Sequence, residues 1–207
     1  MEQDNRPRVL NVGCGAESPA KLHNAFRQAN WDEIRLDIDE KVRPDLLGDM
    51  TDMRDLIPTG TFDAIWSSHN IEHLSAHQAP LAIREFRRVL RRDGFALINC
   101  PDILAIAQLV VEGKLEDSAY VSPAGPITPL DMIYGHSKSI AAGNSYMAHH
   151  TGFTAKRLGR LLLEGGFPEA WVFPGKTLDI WAVALMSNAN RDSIKRLLVG
   201  GGLEFPK

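Results

Sequence analysis

The chain has 207 residues, with 23 Lys or Arg against 26 Asp or Glu, and its formal net charge of −3 gives no reason to expect a nucleic-acid or membrane partner. Its first residues, MEQDNRPR, lack the apolar stretch of a signal peptide, and no apolar run is long enough to span a bilayer. The length predicts one domain over residues 1–207, and the two cysteines indicate reduced thiols of a cytoplasmic protein.

A short apolar run leads into a glycine-rich turn near the start of the chain. Residues 9–12 predict a buried strand, residues 13–15 are Gly-Cys-Gly, and Ser18 before Pro19 predicts a helix over about residues 18–29. Glycine lets a ligand approach the backbone closely, and the free N–H groups of a following helix favour a phosphate or a carboxylate. Strand, turn and helix in this order are typical of a nucleotide-binding unit.

Acidic residues follow the next predicted strands. Residues 34–38 predict a second strand with Asp37 at its end, where a nucleoside-binding fold carries the carboxylate that accepts both ribose hydroxyls. Asp39 is the weaker candidate because it lies two residues further into the loop. A short strand and loop then carry Asp49 and Met50.

The middle of the chain continues the alternation of strands and helices. A strong strand over residues 62–67 runs into the letters SSHNIEH. Pro80 begins a predicted amphipathic helix, which is expected to end at residues 93–94. A strand over residues 95–100 and a helix over residues 102–113 are predicted to follow. The predicted buried stripe of the amphipathic helix is Leu81, Phe86, Val89 and Leu90.

The segment of residues 114–151 is rich in Pro, Gly, Ser and His and shows little periodicity, which predicts a functional insertion or lid. Thr154 then caps a predicted helix that ends at Gly165 and Gly166. Two strands, over about residues 169–174 and 178–186, follow without a helix between them, so we expect them to be antiparallel, and a helix over about residues 190–199 comes last. The whole pattern predicts an α/β sheet with one reversed strand.

Five motifs together resemble the successive motifs of class I S-adenosylmethionine-dependent methyltransferases of the type 11-like group. They are VLNVGCGA, LDID, GDMTD, FDAIWSSHNIEHL and EFRRVLRRDGFALINCPD, in the family's order over about residues 8–102. The resemblance implies a Rossmann-like, seven-stranded, mostly parallel sheet with helices on both faces and a C-terminal antiparallel hairpin. It also implies S-adenosylmethionine as cofactor and S-adenosylhomocysteine as product.

The residues agree with this cofactor. Ser18 stands where a dinucleotide fingerprint has its third glycine, which disfavours a pyrophosphate cofactor such as NAD. We expect the amino-acid end of S-adenosylmethionine at the glycine turn, its ribose at Asp37, and its adenine between the Asp49 acceptor and the soft side chain of Met50. A solvated turn acid and a core filler are the plain alternatives for those two residues. The predicted cofactor-binding residues are Asn11, Gly13, Cys14, Gly15, Asp37, Ile38, Asp49, Met50, Ser67 and His69.

The motif His69-x-x-Glu72-His73 has three interpretations. It matches a zinc-protease signature, but its position directly after a strand of a nucleoside-binding pattern disfavours that class. Some RNA and ubiquinone-pathway O-methyltransferases hold a divalent metal with Glu-x-x-Glu-His at this place, which this motif resembles, with His136 or His149 as the fourth ligand. The favoured interpretation is that no metal is bound and that the Glu-His pair is hydrogen-bonded at the rim of the cofactor site.

The predicted function is methyl transfer to a small-molecule acceptor, at oxygen or nitrogen. The reaction is an in-line displacement, so alignment of acceptor and methyl group accounts for much of the rate. Loss of the acceptor's proton needs a base, for which His69 and His149 are the candidates because imidazole titrates near neutral pH. The alternative is a non-catalytic S-adenosylmethionine-binding or interaction module with the same fold.

Overall fold

The computed structural model describes residues 6–28 and 30–206. Its strands are β1 (Arg8–Val12), β2 (Asp32–Asp37), β3 (Leu46–Leu47), β4 (Phe62–Ser68), β5 (Leu90–Pro101), β6 (Tyr120–Ser122), β7 (Gly125–Ile127), β8 (Glu169–Pro174) and β9 (Asp179–Leu185). Seven of them form one sheet in the order β3-β2-β1-β4-β5-β9-β8, and β6 and β7 form a separate hairpin.

The first five strands of the large sheet pair in parallel, whereas β9 runs antiparallel to both β5 and β8. This is the mostly parallel, Rossmann-like sheet with a C-terminal hairpin that the family resemblance implies, so the predicted fold is confirmed. The order also places β2 and β3 on one side of β1 and β4 on the other. The chain therefore reverses its winding direction between β1 and β4.

Helices cover both faces of the large sheet. Successive side chains of a strand point to opposite faces. Accordingly, Val12 lies in one hydrophobic core with α2 (Ala79–Val89) and α6 (Ala155–Glu164), while Val9 lies in the other with α1 (Asn24–Gln28) and α7 (Arg191–Gly200). Among the described residues, no helix is long and apolar enough to cross a membrane. The helices are α1 (Asn24–Gln28), α2 (Ala79–Val89), α3 (Ile103–Val111), α4 (Pro129–Tyr134), α5 (Ser137–Ala141), α6 (Ala155–Glu164) and α7 (Arg191–Gly200).

The prediction of a helix that begins at Ser18 is wrong. Ser18 makes no side-chain cap, and the residues after it form only a 3₁₀ turn, Pro19–Lys21. Leu22 then adopts an extended backbone, and His23 Nδ1 accepts a hydrogen bond from the N–H of Ala25 at 3.2 Å, which starts α1 afresh. The predicted end of this helix at residue 29 lies outside the described residues.

The amphipathic helix also differs from its prediction. It ends at Val89, because Leu90 already belongs to β5, and residues 93–94 lie inside that strand. Leu81 is 40% exposed and Ile83 is buried in its place, whereas Phe86, Val89 and Leu90 are buried as predicted. Leu81 precedes Phe86 by five residues, which is roughly 140° around a helix of 3.6 residues per turn.

Residues 114–151 are folded into short elements. They contain the β6–β7 hairpin, α4, α5 and a 3₁₀ turn, Ser145–Met147. Ile106, Ile127 and Met132 form a small core that joins the segment to α3. The remaining predictions for the C-terminal part are confirmed: the hydroxyl of Thr154 caps α6, and α7 follows the hairpin.

Candidate functional site

A cavity of about 1080 Å³ lies at the C-terminal ends of β1, β2 and β4. Open α/β sheets bind ligands at the point where the strand order reverses, and the cavity lies at that point. Ser67, a predicted cofactor residue, is completely buried inside the sheet, and Ser68 faces the cavity instead because neighbouring strand residues point to opposite faces. The other predicted cofactor residues line the cavity: Asn11, Gly13, Cys14, Gly15, Asp37, Ile38, Asp49, Met50 and His69.

The glycine turn after β1 requires both of its glycines. Gly13 and Gly15 have φ angles of +61° and +60°, a region that residues with a side chain rarely adopt. A Cβ on Gly13 would also overlap the side-chain amide of Asn70. Asn70 holds that place by donating from Nδ2 to the carbonyl oxygens of Val12 at 2.6 Å and Ser68 at 3.0 Å. The turn therefore presents bare backbone to the cavity.

The Asp37 carboxylate joins the end of β2 to this turn. Its Oδ2 accepts a hydrogen bond from the N–H of Gly15 at 2.7 Å, and its Oδ1 accepts one from the N–H of Asp39 at 2.9 Å. Burial, together with Asp37 itself, raises the pKa of the neighbouring Cys14 to about 11, so its thiol is protonated at neutral pH. The Cys14 thiol also donates to Oδ2 at 3.9 Å, so Oδ1 is the oxygen that keeps a lone pair for a further donor in the cavity.

Three other predicted cofactor residues have identified contacts. Asp49 Oδ1 accepts hydrogen bonds from the N–H and the hydroxyl of Thr51, both at 2.8 Å. Met50 is half-buried and packs against the main core. Ile38 is 50% exposed beside the cavity, which leaves an apolar surface for a planar ligand.

A cationic and aromatic end of the cavity was not predicted from the sequence. Lys21 follows the glycine turn, and a Cβ on Gly15 would lie 2.5 Å from its Nζ. Trp66 donates from Nε1 to the carbonyl of Lys21 at 2.8 Å and stacks on Trp181 with ring centroids 5.8 Å apart. The ring of His23 contacts both tryptophans, and burial lowers its pKa to about 4. The sequence could have indicated Trp66 as a site residue, because it lies in the strand that leads to the site. Nothing in the sequence indicated that Trp181 lies there.

The segment of residues 114–151 forms part of the cavity wall, and its role as a lid stays a prediction. The backbone N–H groups of His150 and Thr151 donate to the carbonyl of Glu72 at 2.8 and 3.2 Å, which fastens the segment to the histidine motif. The lining residues from this segment are Asn144, Ser145, Tyr146, Met147, Ala148 and His150.

His69, a predicted cofactor residue and base, lies at the sharp turn that follows β4. Its φ of +51° is uncommon for a residue with a side chain. Its Nδ1 is 3.4 Å from Oε1 of Glu72, and about half of the His69 side chain is exposed. Burial lowers the pKa of His69, but the Glu72 carboxylate outweighs that effect and raises it above its ordinary value.

A second cavity, of about 230 Å³, adjoins the first. His150 lines both cavities, whereas Glu72 and His149 line the second one. Burial lowers the pKa of His149, the other predicted base, so its ring is neutral at neutral pH. Apolar side chains, including Ile103 and Met132, complete this wall.

Between the two cavities, the structure brings together Glu72, His73 and His149. Their ligand atoms lie within 4.8 Å of one another. His136, named with His149 as an alternative lid ligand, lies elsewhere, with its Nδ1 2.7 Å from the hydroxyl of Ser139. Neither oxygen of Glu72 has a hydrogen-bond partner among the described residues, so the expected hydrogen-bonded Glu-His pair is not formed.

Comparisons with known proteins agree with the motifs. Residues 10–98 match a family profile described as a methyltransferase domain. The fold is similar to that of a SAM-dependent methyltransferase from Archaeoglobus fulgidus, with a TM-score of 0.56 and 13% identity over 87% of this chain and 86% of that one. It is also similar to a Burkholderia thailandensis 1,6-didemethyltoxoflavin-N1-methyltransferase with bound 1,6-didemethyltoxoflavin and S-adenosylhomocysteine, with a TM-score of 0.52 and 14% identity over 88% and 72% of the two chains. A search of curated proteins gives no match.

Proposed function

We propose that this chain, which has the class I methyltransferase fold and a methyltransferase domain over residues 10–98, transfers the methyl group of S-adenosylmethionine to a small-molecule acceptor, at oxygen or nitrogen. The observation that carries the proposal is the large cavity at the strand-order reversal, with a bare glycine turn at one wall and the Asp37 carboxylate beside it. S-adenosylhomocysteine is the product that this reaction leaves in the cavity.

The lining residues support one orientation of the cofactor. Its carboxylate and amino groups lie against Gly13 and Gly15, where the ammonium group of Lys21 supplies the charge that a carboxylate needs. Its ribose hydroxyls donate to Asp37, and its adenine lies beside Asp49 and Ile38. The cavity wall includes Met50, Ser68 and His69 as well, and we assign the role once expected of Ser67 to Ser68.

The same residues disfavour a dinucleotide. A pyrophosphate group is usually held at the N-terminus of the helix that follows the glycine turn. In this chain α1 begins only at Asn24, after a 3₁₀ turn, so among the described residues no helix starts directly after the glycine turn. A cofactor without phosphate, whose anionic group is a single carboxylate, suits Lys21 better.

The second cavity supports a small acceptor. Its volume of about 230 Å³ lies below the range typical of drug-sized ligands. We assign the general base to His69, because it lines the cofactor cavity and the pair with Glu72 brings its pKa up toward the working pH. His69 takes the acceptor's proton, the acceptor's electron pair forms a bond to the methyl carbon, and the electrons of the breaking C–S bond go to sulfur. The proximity of the two cavities supplies the alignment.

We also propose a cytoplasmic location, without a nucleic-acid or membrane partner. Cys14 and Cys100 are both buried free thiols, which is usual in a reducing compartment. The nearly balanced formal net charge of −3 gives no reason to expect a polyanionic partner.

Titration calorimetry tests the cofactor assignment. We expect S-adenosylmethionine and S-adenosylhomocysteine to bind with about one equivalent per chain, and NAD not to bind at an affinity within tenfold of theirs. Tighter binding of NAD would refute the assignment. Incubation with methyl-tritiated S-adenosylmethionine and a small-molecule cell extract then tests turnover, and cofactor binding without any labelled product would favour a non-catalytic module.

A further inference from the structure

The carboxylate of Glu72 is the least compensated polar group at the site. The residue is 1% exposed, and both of its side-chain oxygens lack a hydrogen-bond partner among the described residues. The nearest ring nitrogen, His69 Nδ1, is 3.4 Å from Oε1 but does not make a hydrogen bond. Buried charges are normally paired or bound to a metal, because their transfer from water is costly. Among the described residues, Glu72 therefore has one potentially charged neighbour at ion-pair distance, His69, and no hydrogen bond to either oxygen.

The two histidines beside Glu72 are held in the orientation that metal ligands use. His73 Nδ1 is 3.0 Å from the carbonyl oxygen of Ala148, and His149 Nδ1 is 2.9 Å from that of Met132. A carbonyl oxygen only accepts, so each Nδ1 carries the proton and each Nε2 of the neutral ring offers a lone pair. Metal-bound histidines characteristically donate their other N–H to a carbonyl or carboxylate in this way.

In these tautomers neither ring has a proton left to give Glu72. The cluster then consists of two nitrogen lone pairs and one carboxylate, all acceptors, whose ligand atoms lie within 4.8 Å of one another. We propose that Glu72, His73 and His149 bind one transition-metal ion such as Zn²⁺ or Mn²⁺. Ligand atoms of a tetrahedral site are roughly 3.4 Å apart at bond lengths of about 2.1 Å, so binding draws these side chains inward by about 1 Å.

The donor set fixes the class of metal. Two imidazoles and one carboxylate suit Zn²⁺, Mn²⁺ or Fe²⁺, whereas Mg²⁺ and Ca²⁺ prefer oxygen ligands. Three protein ligands leave at least one position open, as in catalytic zinc sites. The three residues lie between the two cavities, because His73 lines the first and His149 lines the second.

An ion at this place has a role in the proposed reaction, and this part alone rests on the proposed function. An ion held by Glu72, His73 and His149 would lower the pKa of a nearby acceptor hydroxyl, because a cation stabilises the deprotonated form. His69 would take that proton, the acceptor oxygen would form the bond to the methyl carbon, and the electrons of the breaking C–S bond would go to sulfur. His149 would thus hold the metal, and His69 would remain the base.

Metal binding is measured directly on the full chain. Protein treated with a chelator is reloaded with excess Zn²⁺, Mn²⁺ or Mg²⁺, desalted, and analysed by mass spectrometry for retained metal. We expect about one equivalent of Zn²⁺ per chain and no retained Mg²⁺. Reloading with Co²⁺ should also give the visible absorption of an ion bound by nitrogen and oxygen ligands. Unmodified protein that retains no Zn²⁺ or Co²⁺ overturns the proposal.

Variants then locate the ion. Glu72→Gln and His149→Gln should each weaken Zn²⁺ binding by at least about 100-fold, more than the loss of an outer partner usually causes. His136→Gln is the matched control, since it removes a histidine of the same segment that contacts Ser139 and not the cluster. An equal loss in the control overturns the assignment of ligands. The affinity for S-adenosylhomocysteine is measured separately on metal-free protein. That measurement tests the cofactor assignment alone, so a failure of the metal proposal can be told from a failure of the cofactor assignment.

Discussion

Replacement of Asp37 by Ala should weaken cofactor binding more than any other single change on the wall formed by β2. The free protein already uses both oxygens of Asp37, for the N–H groups of Gly15 at 2.7 Å and Asp39 at 2.9 Å. Two ribose hydroxyls would add two hydrogen bonds to a charged acceptor, one on Oδ1 and one in place of the Cys14 thiol on Oδ2, each worth about 1.5–3 kcal/mol. Competition with water leaves a net loss of roughly 2–4 kcal/mol, which is about a 30- to 900-fold weaker binding constant.

Two controls separate the ribose contact from general damage to the loop. Asp37→Asn keeps the shape but has one acceptor oxygen instead of two, so we expect an intermediate loss. Asp39 lines the same cavity, and within the described part of the chain its carboxylate accepts a hydrogen bond only from the nearby N–H of Lys41, at 3.0 Å. Asp39→Ala should therefore change the affinity by less than about threefold. Calorimetry with S-adenosylhomocysteine measures all three variants, with thermal unfolding as a check that each is folded. A larger effect of Asp39→Ala than of Asp37→Ala would refute the placement of the ribose.

Two further predictions concern the glycine turn and the aromatic end of the cavity. Gly13→Ala should abolish measurable binding of S-adenosylhomocysteine, because the added Cβ overlaps Asn70. Gly60 also has a positive φ but has open space around it, so Gly60→Ala should bind normally. An equal loss of binding in the two variants, measured by calorimetry, would contradict this prediction. Burial lowers the pKa of His23 from 6.5 to about 4, so the folded state favours its neutral ring, and this stabilisation is complete above pH 6.5 and lost as the pH falls toward 4. His23→Gln should therefore reduce the loss of unfolding free energy in acid by about 2 kcal/mol, after allowance for partial exposure. Urea unfolding at several pH values measures this loss. The control His77→Gln, at an exposed histidine, should not reduce it.

Local patterns in the sequence were sufficient where neighbouring residues decide the structure. The apolar run of β1 and the glycine turn after it were both predicted, because burial and positive φ are properties of those residues themselves. The boundary between α2 and β5 was missed for a different reason. Leu90 pairs with Phe62 of β4, and this long-range pairing ends the helix before the Asp-Gly signal at residues 93–94.

In the candidate site, too, some residues could be predicted from local sequence, and others are positioned only by tertiary structure. The residues that follow β1, β2 and β4 could be named in advance, because the carboxyl ends of parallel strands meet at one edge of the sheet. Trp181 reaches the cavity only through the antiparallel register of β9 with β5, in which it lies opposite Asn99. Sequence spacing gives no such register.

The choice between His136 and His149 depended on tertiary structure in the same way. Both are histidines of one irregular segment, and the sequence offered either His136 or His149 as the lid ligand beside Glu72. In the structure, a bridge between Gly135 and Ala148 folds the segment back on itself, and the N–H of His149 donates to the carbonyl of Tyr134 at 3.1 Å. The next two N–H groups bind the carbonyl of Glu72, so His149 is directed to the cluster.

The turn that follows β4 contains two local features that are unfavourable by themselves. His69 has a left-handed backbone, which is unfavourable for a residue with a side chain. Three residues later, Glu72 is buried without a hydrogen-bond partner among the described residues. His69 lines the first cavity and Glu72 lines the second, so both features lie where the two cavities adjoin. Costs of this kind persist where the surrounding structure and a bound group offset them, and Glu72 is the residue at which a cation would do so.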